Sequence, residues 1–261
     1  MTTETSELAW PPSVAYVALD CAFRPIASHL PSPSPASWRG ALVRTMGVVG
    51  PSPFALRAGG TWAFRLVLWG DQVERVAEWI VGLERAGRRG VGAGRPPARL
   101  VRVRVVDRDV YREGQIVGSP RASVFAPSGH ARRAVSDVDV ELVSPLRICR
   151  DGRPVRTISA KSFFGALGRR ATRVGGHQTS DSSKVFRPSF EGGWSATTRF
   201  VDRMRYSSRQ QRVVGLGGVV GVIRLAGCNA VDCAWLEFGE MFGVGKATAM
   251  GCGSIEIVGR D

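Results

Sequence analysis

The chain has 261 residues, 44% hydrophobic and 22% charged, which suits a folded core and excludes a disordered tail, and no apolar run reaches the roughly 20 residues that cross a bilayer. Five cysteines (Cys21, Cys149, Cys228, Cys233, Cys252) form no C-x-x-C pair, and this odd set argues against a disulfide framework or a zinc site, so no metal and no cofactor are expected. The N-terminus lacks a basic-then-apolar secretion signal, so a soluble cytoplasmic protein is expected, and its net charge of +14 points to a polyanionic partner.

Taken in chain order, Ser13–Ala22 reads as a strand by its β-branched, alternating character. A proline-rich connection containing His29 leads to a helix over Ser37–Met46, capped by Ser34 or Ser37 and stopped by Gly47. Pro53–Arg57 and Thr61–Trp69 read as strands joined at Gly59-Gly60. Asp71 caps a second helix from Gln72 to about Ala86, whose apolar residues recur at helical spacing. Arg99–Val106 alternates as a strand should, completing β-α-β-β-α-β, the ferredoxin-like order.

A second unit opens with a strand over Asp137–Ser144 and a hairpin over Arg147–Val155, turning at Asp151-Gly152. Ser159–Val174 is a helix with Phe163, Phe164, Ala166, Leu167 and Ala171 inward, and Lys161, Arg169, Arg170 and Arg173 outward. Residues 177–195 read as a loop. Val213–Leu225 reads as a glycine-rich strand, Ala230–Phe242 as a helix and Ala247–Val258 as the last strand. The expected architecture is α+β: tandem ferredoxin-like domains over residues 1–136 and 137–261, the second with a basic helical insertion at about 157–212.

Charge is unevenly placed. Of the 36 basic residues only Lys161, Lys184 and Lys246 are lysines, and the guanidinium fork of the remainder suits phosphate. Residues 150–212 hold 14 basic and four acidic residues, a net of +10, whereas residues 213–261 carry a net of −2. The central stretch therefore reads as a polyanion-binding surface, and a slim basic helix carrying Lys161, Arg169, Arg170 and Arg173 can grip the phosphates of an A-form stem. A solubilising face is the plainer alternative.

The segment Gly243-Val-Gly-Lys246-Ala-Thr-Ala-Met-Gly251-Cys-Gly253 follows a helix and precedes a strand. Glycines so spaced can let the backbone approach a phosphate and aim N–H groups at it. The order of elements and the spacing fit neither a Walker A loop nor a dinucleotide fingerprint. The same glycines would also serve a strand that has to bend or pack closely, and spacing leaves both readings open.

Beyond these features, Arg205-Tyr-Ser-Ser-Arg209-Gln210, then Leu216-Gly-Gly-Val-Val-Gly221, Phe238-Gly-Glu240, Gly243-Val-Gly-Lys246 and Met250-Gly-Cys-Gly253 together resemble the CRISPR repeat-processing endoribonucleases of the RAMP superfamily. The likeness covers about Arg203 to Val258, with weaker echoes at Trp38-Arg-Gly-Ala-Leu42, Ser144-Pro-Leu-Arg-Ile148 and Asp151-Gly-Arg153. The tandem ferredoxin-like fold of that family agrees with the element order above. The resemblance implies metal-independent cleavage of CRISPR repeat RNA, the ribose 2′-hydroxyl attacking the adjacent phosphate to leave a 2′,3′-cyclic phosphate and a 5′-hydroxyl. It also implies retention of the mature crRNA and association with other subunits of a CRISPR effector complex. Arg205, Arg209, Gly243, Gly245, Lys246, Gly251 and Gly253 would then join the helix residues as RNA contacts.

Many members of that family place a histidine just after the first helix, but Thr45 to Thr61 contains none. His29 lies between the first strand and first helix and is the nearest candidate for the base; Arg24 and Arg39 flank it and could hold the phosphate or the 2′-hydroxyl. His130, beside Arg132 and Arg133, and His177 read as RNA-contacting or surface residues. The sparse histidines and the basic insertion point to a divergent subtype such as type IV. Two rivals stand beside a cutting enzyme: a crRNA-binding subunit that does not cut, and an unrelated nucleotide-binding enzyme with ferredoxin-like domains.

Overall fold

The computed structural model describes residues 10–27, 31–46, 54–59, 62–92, 94–126, 137–176, 186, 188–207 and 212–260. His29, His130, His177, Arg209, Gly47 and Gly60 lie outside the described residues. Contacts divide the chain into two units, one built on Val14–Phe125 with Ala249–Gly251, the other on Ala126–Thr248 with Cys252–Asp261. Among the described residues no helix is long and apolar enough to cross a membrane.

The first unit is centred on β1 (Val14–Pro25), in which Val17, Leu19, Cys21 and Phe23 are buried and the residues between them face the other side, as the pleat dictates. It continues through α1 (Pro35–Met46), β2 (Phe54–Ala58), β3 (Ala63–Trp69), α2 (Val76–Arg88) and β4 (Ala98–Val105). Sheet order β2-β3-β1-β4, antiparallel throughout, is the ferredoxin-like arrangement. β5 (Arg108–Arg112) and β6 (Gln115–Ile116) extend the sheet beyond β4, and β7 (Ser123–Phe125) pairs with the start of β1.

Ser34 accepts the first free N–H groups of α1, and Pro35 occupies its first helical position, where a missing N–H costs nothing. Trp38 then buries its ring against Phe23 and Phe64, with centroids at 4.2 and 4.9 Å. The second helix starts later than expected. Gly70, at φ +63°, turns the chain out of β3 into a short 3-10 turn (Gly70–Val73), and Gln72 points inward to accept a bond from Trp79 Nε1. Asp71 therefore sits in that turn rather than capping α2.

The second unit is centred on β8 (Asp137–Leu146), with Val138, Val140 and Leu142 inward. The hairpin of β9 (Cys149–Arg150) and β10 (Arg153–Pro154) turns at Asp151-Gly152, both at positive φ as an Asp-Gly turn requires. α3 (Ala160–Val174) opens with a reciprocal capping box between Ser159 and Ser162. Next come β11 (Gly193–Val201), the hairpin of β12 (Met204–Ser207) and β13 (Arg212–Gly215), then β14 (Gly218–Ala226), α4 (Ala230–Phe242) and β15 (Glu256–Arg260). Sheet order β11-β14-β8-β15 repeats the ferredoxin-like arrangement, so the chain is a tandem of two such units.

Within residues 157–212, α3 is the first crossover helix of this second motif and β11, which no sequence pattern predicts, is its second strand. The expected strand Val213–Leu225 is divided at Leu216-Gly217 between the β12–β13 hairpin and β14. The last strand begins only at Glu256, because Gly251 and Gly253 are at positive φ and cannot continue an extended run. Between the sheet and its helices lie Phe163, Phe164, Leu167, Trp235, Phe238 and Phe242, all nearly inaccessible to solvent. Each contributes roughly 1.5–3 kcal/mol by burial. Gly239 permits this close packing: a Cβ there would lie 2.7 Å from Leu167 Cδ2.

Candidate nucleic-acid interface

In α3 the spacing 161–165–169–173 is a single stripe of i, i+4 neighbours, and Lys161, Arg169 and Arg173 are all exposed on it. Gly165 leaves a gap in the stripe, over which the Arg169 guanidinium folds: a Cβ on Gly165 would lie 3.4 Å from Arg169 Nη1. Like charges four apart on one helix repel one another, so this arrangement is mildly unfavourable for the isolated helix. An anion laid along the stripe relieves it.

Arg170 does not belong to that stripe, which corrects the expectation that it points outward. The helical period places it with Phe163, Leu167 and Val174 on the buried side, and it is 3% exposed. Its Nε and Nη2 both donate to the carbonyl of Phe242, at 3.0 and 2.8 Å. That carbonyl ends α4, whose last turn carries no basic residue of its own, so Arg170 supplies the cation that the negative end of the helix favours. Burial, with a smaller contribution from nearby Arg173, pushes its guanidinium down to about 9, which leaves it charged at neutral pH.

These residues meet at a small cleft of about 60 Å³, lined by Arg147, Cys149, Arg169, Arg173, Gly245 and Lys246 among others. Arg147 is half-buried, donates from Nη1 to the Gly217 carbonyl at 2.9 Å, and accepts the Lys246 N–H on its own carbonyl at 2.8 Å. The β8–β9 connection, α3 and the glycine loop thus bring four cationic side chains around one opening, with Arg170 beneath. Arg147 and Cys149 were not singled out from sequence, although Arg147 stands in the Ser144–Ile148 segment that carries one of the weaker likenesses.

The glycine loop is held by the protein itself. Val244 N–H donates to Gly253, Gly253 N–H to Pro145, Cys252 N–H to Ala247 and Lys246 N–H to Arg147, at 2.8–3.2 Å. Gly243, Gly245, Gly251 and Gly253 all adopt positive φ, and a Cβ on Gly245 would come 2.6 Å from the Arg147 carbonyl oxygen. A Cβ on Gly253 would overlap the Val244 carbonyl. These four N–H groups serve the loop, and the glycines let it fold tightly; what the loop presents to solvent is the exposed Lys246. Arg205 lies on β12 in register with Val214.

In the first unit, Arg24 ends β1 on the sheet face opposite α1, since its neighbour Phe23 packs on Trp38. Arg24 is in register with Arg99 and forms a loose ion pair with Glu113 at 3.6 Å, both side chains being more than half exposed. Arg39 rides on α1, half-buried, so the two candidate phosphate ligands start from opposite sides of the sheet.

Cys21, Cys228, Cys233 and Cys252 are buried, and burial raises the thiols of Cys21, Cys252 and, to about 12, Cys228. Among the described residues no group of His, Cys, Asp and Glu is placed to hold a metal ion.

Residues 140–255 match the family model of the CRISPR-associated endoribonuclease Cas6, and residues 46–124 match a second model described as an N-terminal domain. No curated protein sequence matches the chain significantly. Among solved structures, a Cas6 product complex superposes with a TM-score of 0.59 at 20% identity, over 94% of this chain and 100% of that one. Thermus thermophilus Cas6 gives 0.56 at 16% identity, covering 94% and 99%. A Cas6-related protein from Pyrococcus furiosus gives 0.52 at 11% identity, covering 93% and 98%. The family match spans most of the second unit, and the tandem ferredoxin-like fold is similar to that of these Cas6 structures over nearly the whole chain.

Proposed function

We propose that the protein is an endoribonuclease that binds the stem-loop of a CRISPR repeat and cuts the precursor transcript without a metal ion, in the cytoplasm, keeping the mature crRNA bound. The observation that carries this reading is the convergence of Arg147, Arg169, Arg173 and Lys246 on one cleft beside an exposed i, i+4 cationic stripe. Such a surface fits the closely spaced phosphates of an A-form stem, which proteins grip by shape and charge. The RNA contacts would be Lys161, Arg169 and Arg173 from α3 and Lys246 from the glycine loop, with Arg205 and Arg209 between them in the chain. Arg170 acts beneath them as a positioning residue.

In the reaction the 2′-oxygen bonds to phosphorus as the bond from phosphorus to the 5′-oxygen breaks. The proton lost by the 2′-hydroxyl is balanced by one gained at the departing oxygen, and a 2′,3′-cyclic phosphate remains. Three tasks arise: in-line alignment, proton removal, and stabilisation of charge on the phosphate. We assign the stabilisation of charge to Arg24 or Arg39, which start from opposite sides of the sheet, and keep His29 as the candidate base, whose loss should lower cleavage only partly. The loose pairing of Arg24 with Glu113 supports this role, since an exposed ion pair is worth only about 0–1 kcal/mol and yields readily to phosphate.

Repeat RNA incubated with the protein in EDTA and run on a denaturing gel tests the proposal. A single cut ending in a cyclic phosphate is expected. Tight binding without a cut would assign instead a non-cleaving crRNA-binding subunit, and neither binding nor cutting would leave the nucleotide-enzyme alternative. One solved neighbour, of which this chain covers 47%, is titled a partial Cas6-RT-Cas1–Cas2 complex; its title is compatible with work inside a larger CRISPR assembly, with other subunits as partners.

A further inference from the structure

The open face of the first sheet carries a second cationic trough. In register across four strands lie Arg57 of β2, Arg65 of β3, Asp20 of β1 and Arg104 of β4; one step along lie Ala63, Ala22 and Arg102. Asp20 is fully engaged by Arg65, which donates to both carboxylate oxygens at 2.7 and 2.8 Å. That pair cancels itself. Arg102 and Arg104 meet no carboxylate among the described residues, because Asp109, the cross-strand neighbour of Arg104, is taken by Arg112. Between these arginines the floor is Ala22, Ala58, Gly59 and Ala63, leaving an open trough of about 380 Å³.

Alanine and glycine are poor strand residues, and an open sheet face is ordinarily filled by β-branched or long polar side chains. Here the smallest residues cluster where the arginines stand, so the space is kept clear. Three strand spacings separate Arg57 from Arg104, roughly 14 Å, enough for a strand to lie between them and too narrow for an A-form duplex with its side chains. The floor offers no exposed aromatic ring for base stacking, so a ligand here is held by its backbone charge and by guanidinium forks.

We propose that this trough, walled by Arg57, Arg102 and Arg104, is a second RNA site that takes a single-stranded segment flanking the repeat stem. This rests on the reading of the protein as a repeat-RNA binder. The trough belongs wholly to the first unit, whereas the stem site is built by the second, so the two can be removed separately.

The test compares binding of two RNAs, a bare repeat stem and the same stem with its single-stranded flanks, across a range of salt concentrations. The Arg57→Gln/Arg102→Gln/Arg104→Gln variant should bind the bare stem as the wild type does. It should lose most of the added affinity of the flanked RNA, about tenfold or more, and its salt slope for that RNA should fall by about two units. An independent variant, Ala22→Phe, keeps every arginine but fills the floor, and should show the same selective loss. Thermal melts matching the wild type establish that both variants are folded; if either is not, Ala63→Phe replaces it. Wild-type affinity for flanked RNA in both variants overturns the trough while leaving the stem reading intact. Failure of the wild type to bind either RNA overturns both.

Discussion

Arg170 on α3 holds the last carbonyl of α4, at Phe242, through two hydrogen bonds from one guanidinium. The side chain is buried and charged, so removing it both strands that carbonyl and opens the base of the basic cleft. Arg170→Ala should lower stability by about 2–3 kcal/mol, the usual worth of a buried hydrogen bond to a charged group. Thermal denaturation should show this as a fall in Tm of roughly 5–10 °C. A melting curve unchanged from wild type would contradict a structural role. Arg170→Lys, which cannot reproduce the paired donors, should recover only part of the loss.

Neighbouring Arg169 and Arg173 should behave in the opposite way. Both are exposed on the stripe with Lys161, so the Lys161→Ala/Arg169→Ala/Arg173→Ala variant should melt like the wild type. Its affinity for a repeat stem should fall, and the slope of log affinity against log salt should shrink by roughly two to three units, one for each lost phosphate contact. A filter-binding titration between about 50 and 200 mM salt is sufficient to measure this. An unchanged slope would remove α3 from the interface.

Gly245 separates the two readings of the glycine loop. With φ at +79° and the Arg147 carbonyl 2.6 Å from where a Cβ would stand, Gly245→Val has no room in the folded loop. It should lose stability, visible in circular dichroism melts, before any question of RNA arises. Of the two readings that the spacing leaves open, this is the one in which the glycine serves the packing of the loop itself. A natively melting Gly245→Val that no longer binds RNA would restore the ligand-contact reading.

Catalysis is tested by Arg24→Ala, Arg39→Ala and His29→Ala in single-turnover cleavage from pH 5.5 to 8.5. Each arginine variant should cut roughly a hundredfold more slowly, the scale of losing one donor to a developing charge. Repeat binding should stay within about tenfold, because the proposed stem contacts are unchanged in these variants. If His29 removes the proton, the wild-type rate should rise with pH through about 6 to 7 and level off, and His29→Ala should lose that step. Guanidinium groups do not titrate there, so a wild-type profile without the step would take His29 out of the mechanism.

Much of this arrangement was legible in the chain, and the exceptions have physical causes. The alternating core residues of β1, Ser34 as a cap of α1, and the Asp151-Gly152 turn follow from local rules and appear as expected, although α1 begins at Pro35, two residues before the expected Ser37. β11 escaped notice because Gly-Trp-Ser-Ala-Thr-Thr-Arg-Phe-Val is a largely exposed edge strand without an apolar period, preceded by a Ser-, Gly- and Pro-rich run. Arg170 was misplaced although the sequence carried the signal: 163, 167, 170 and 174 is a buried helical stripe, and its arginine was read by charge rather than by position. The arginines of the first sheet were visible as the alternation Arg102-Val-Arg104, but only strand register shows that alanines stand beside them. Arg147 joins the cleft through contacts distant in sequence, which no local pattern encodes.

The half-exposed Cys149 at the edge of the basic cleft has a practical consequence. The other four thiols are buried, so a fluorophore or spin label offered under native conditions has one preferred point of attachment. That point lies on the lining shared by Arg147, Arg169, Arg173 and Lys246. The protein therefore carries a native optical reporter position at the mouth of the proposed RNA site. Arrival and departure of an unlabelled transcript could be followed there in real time without engineering a cysteine.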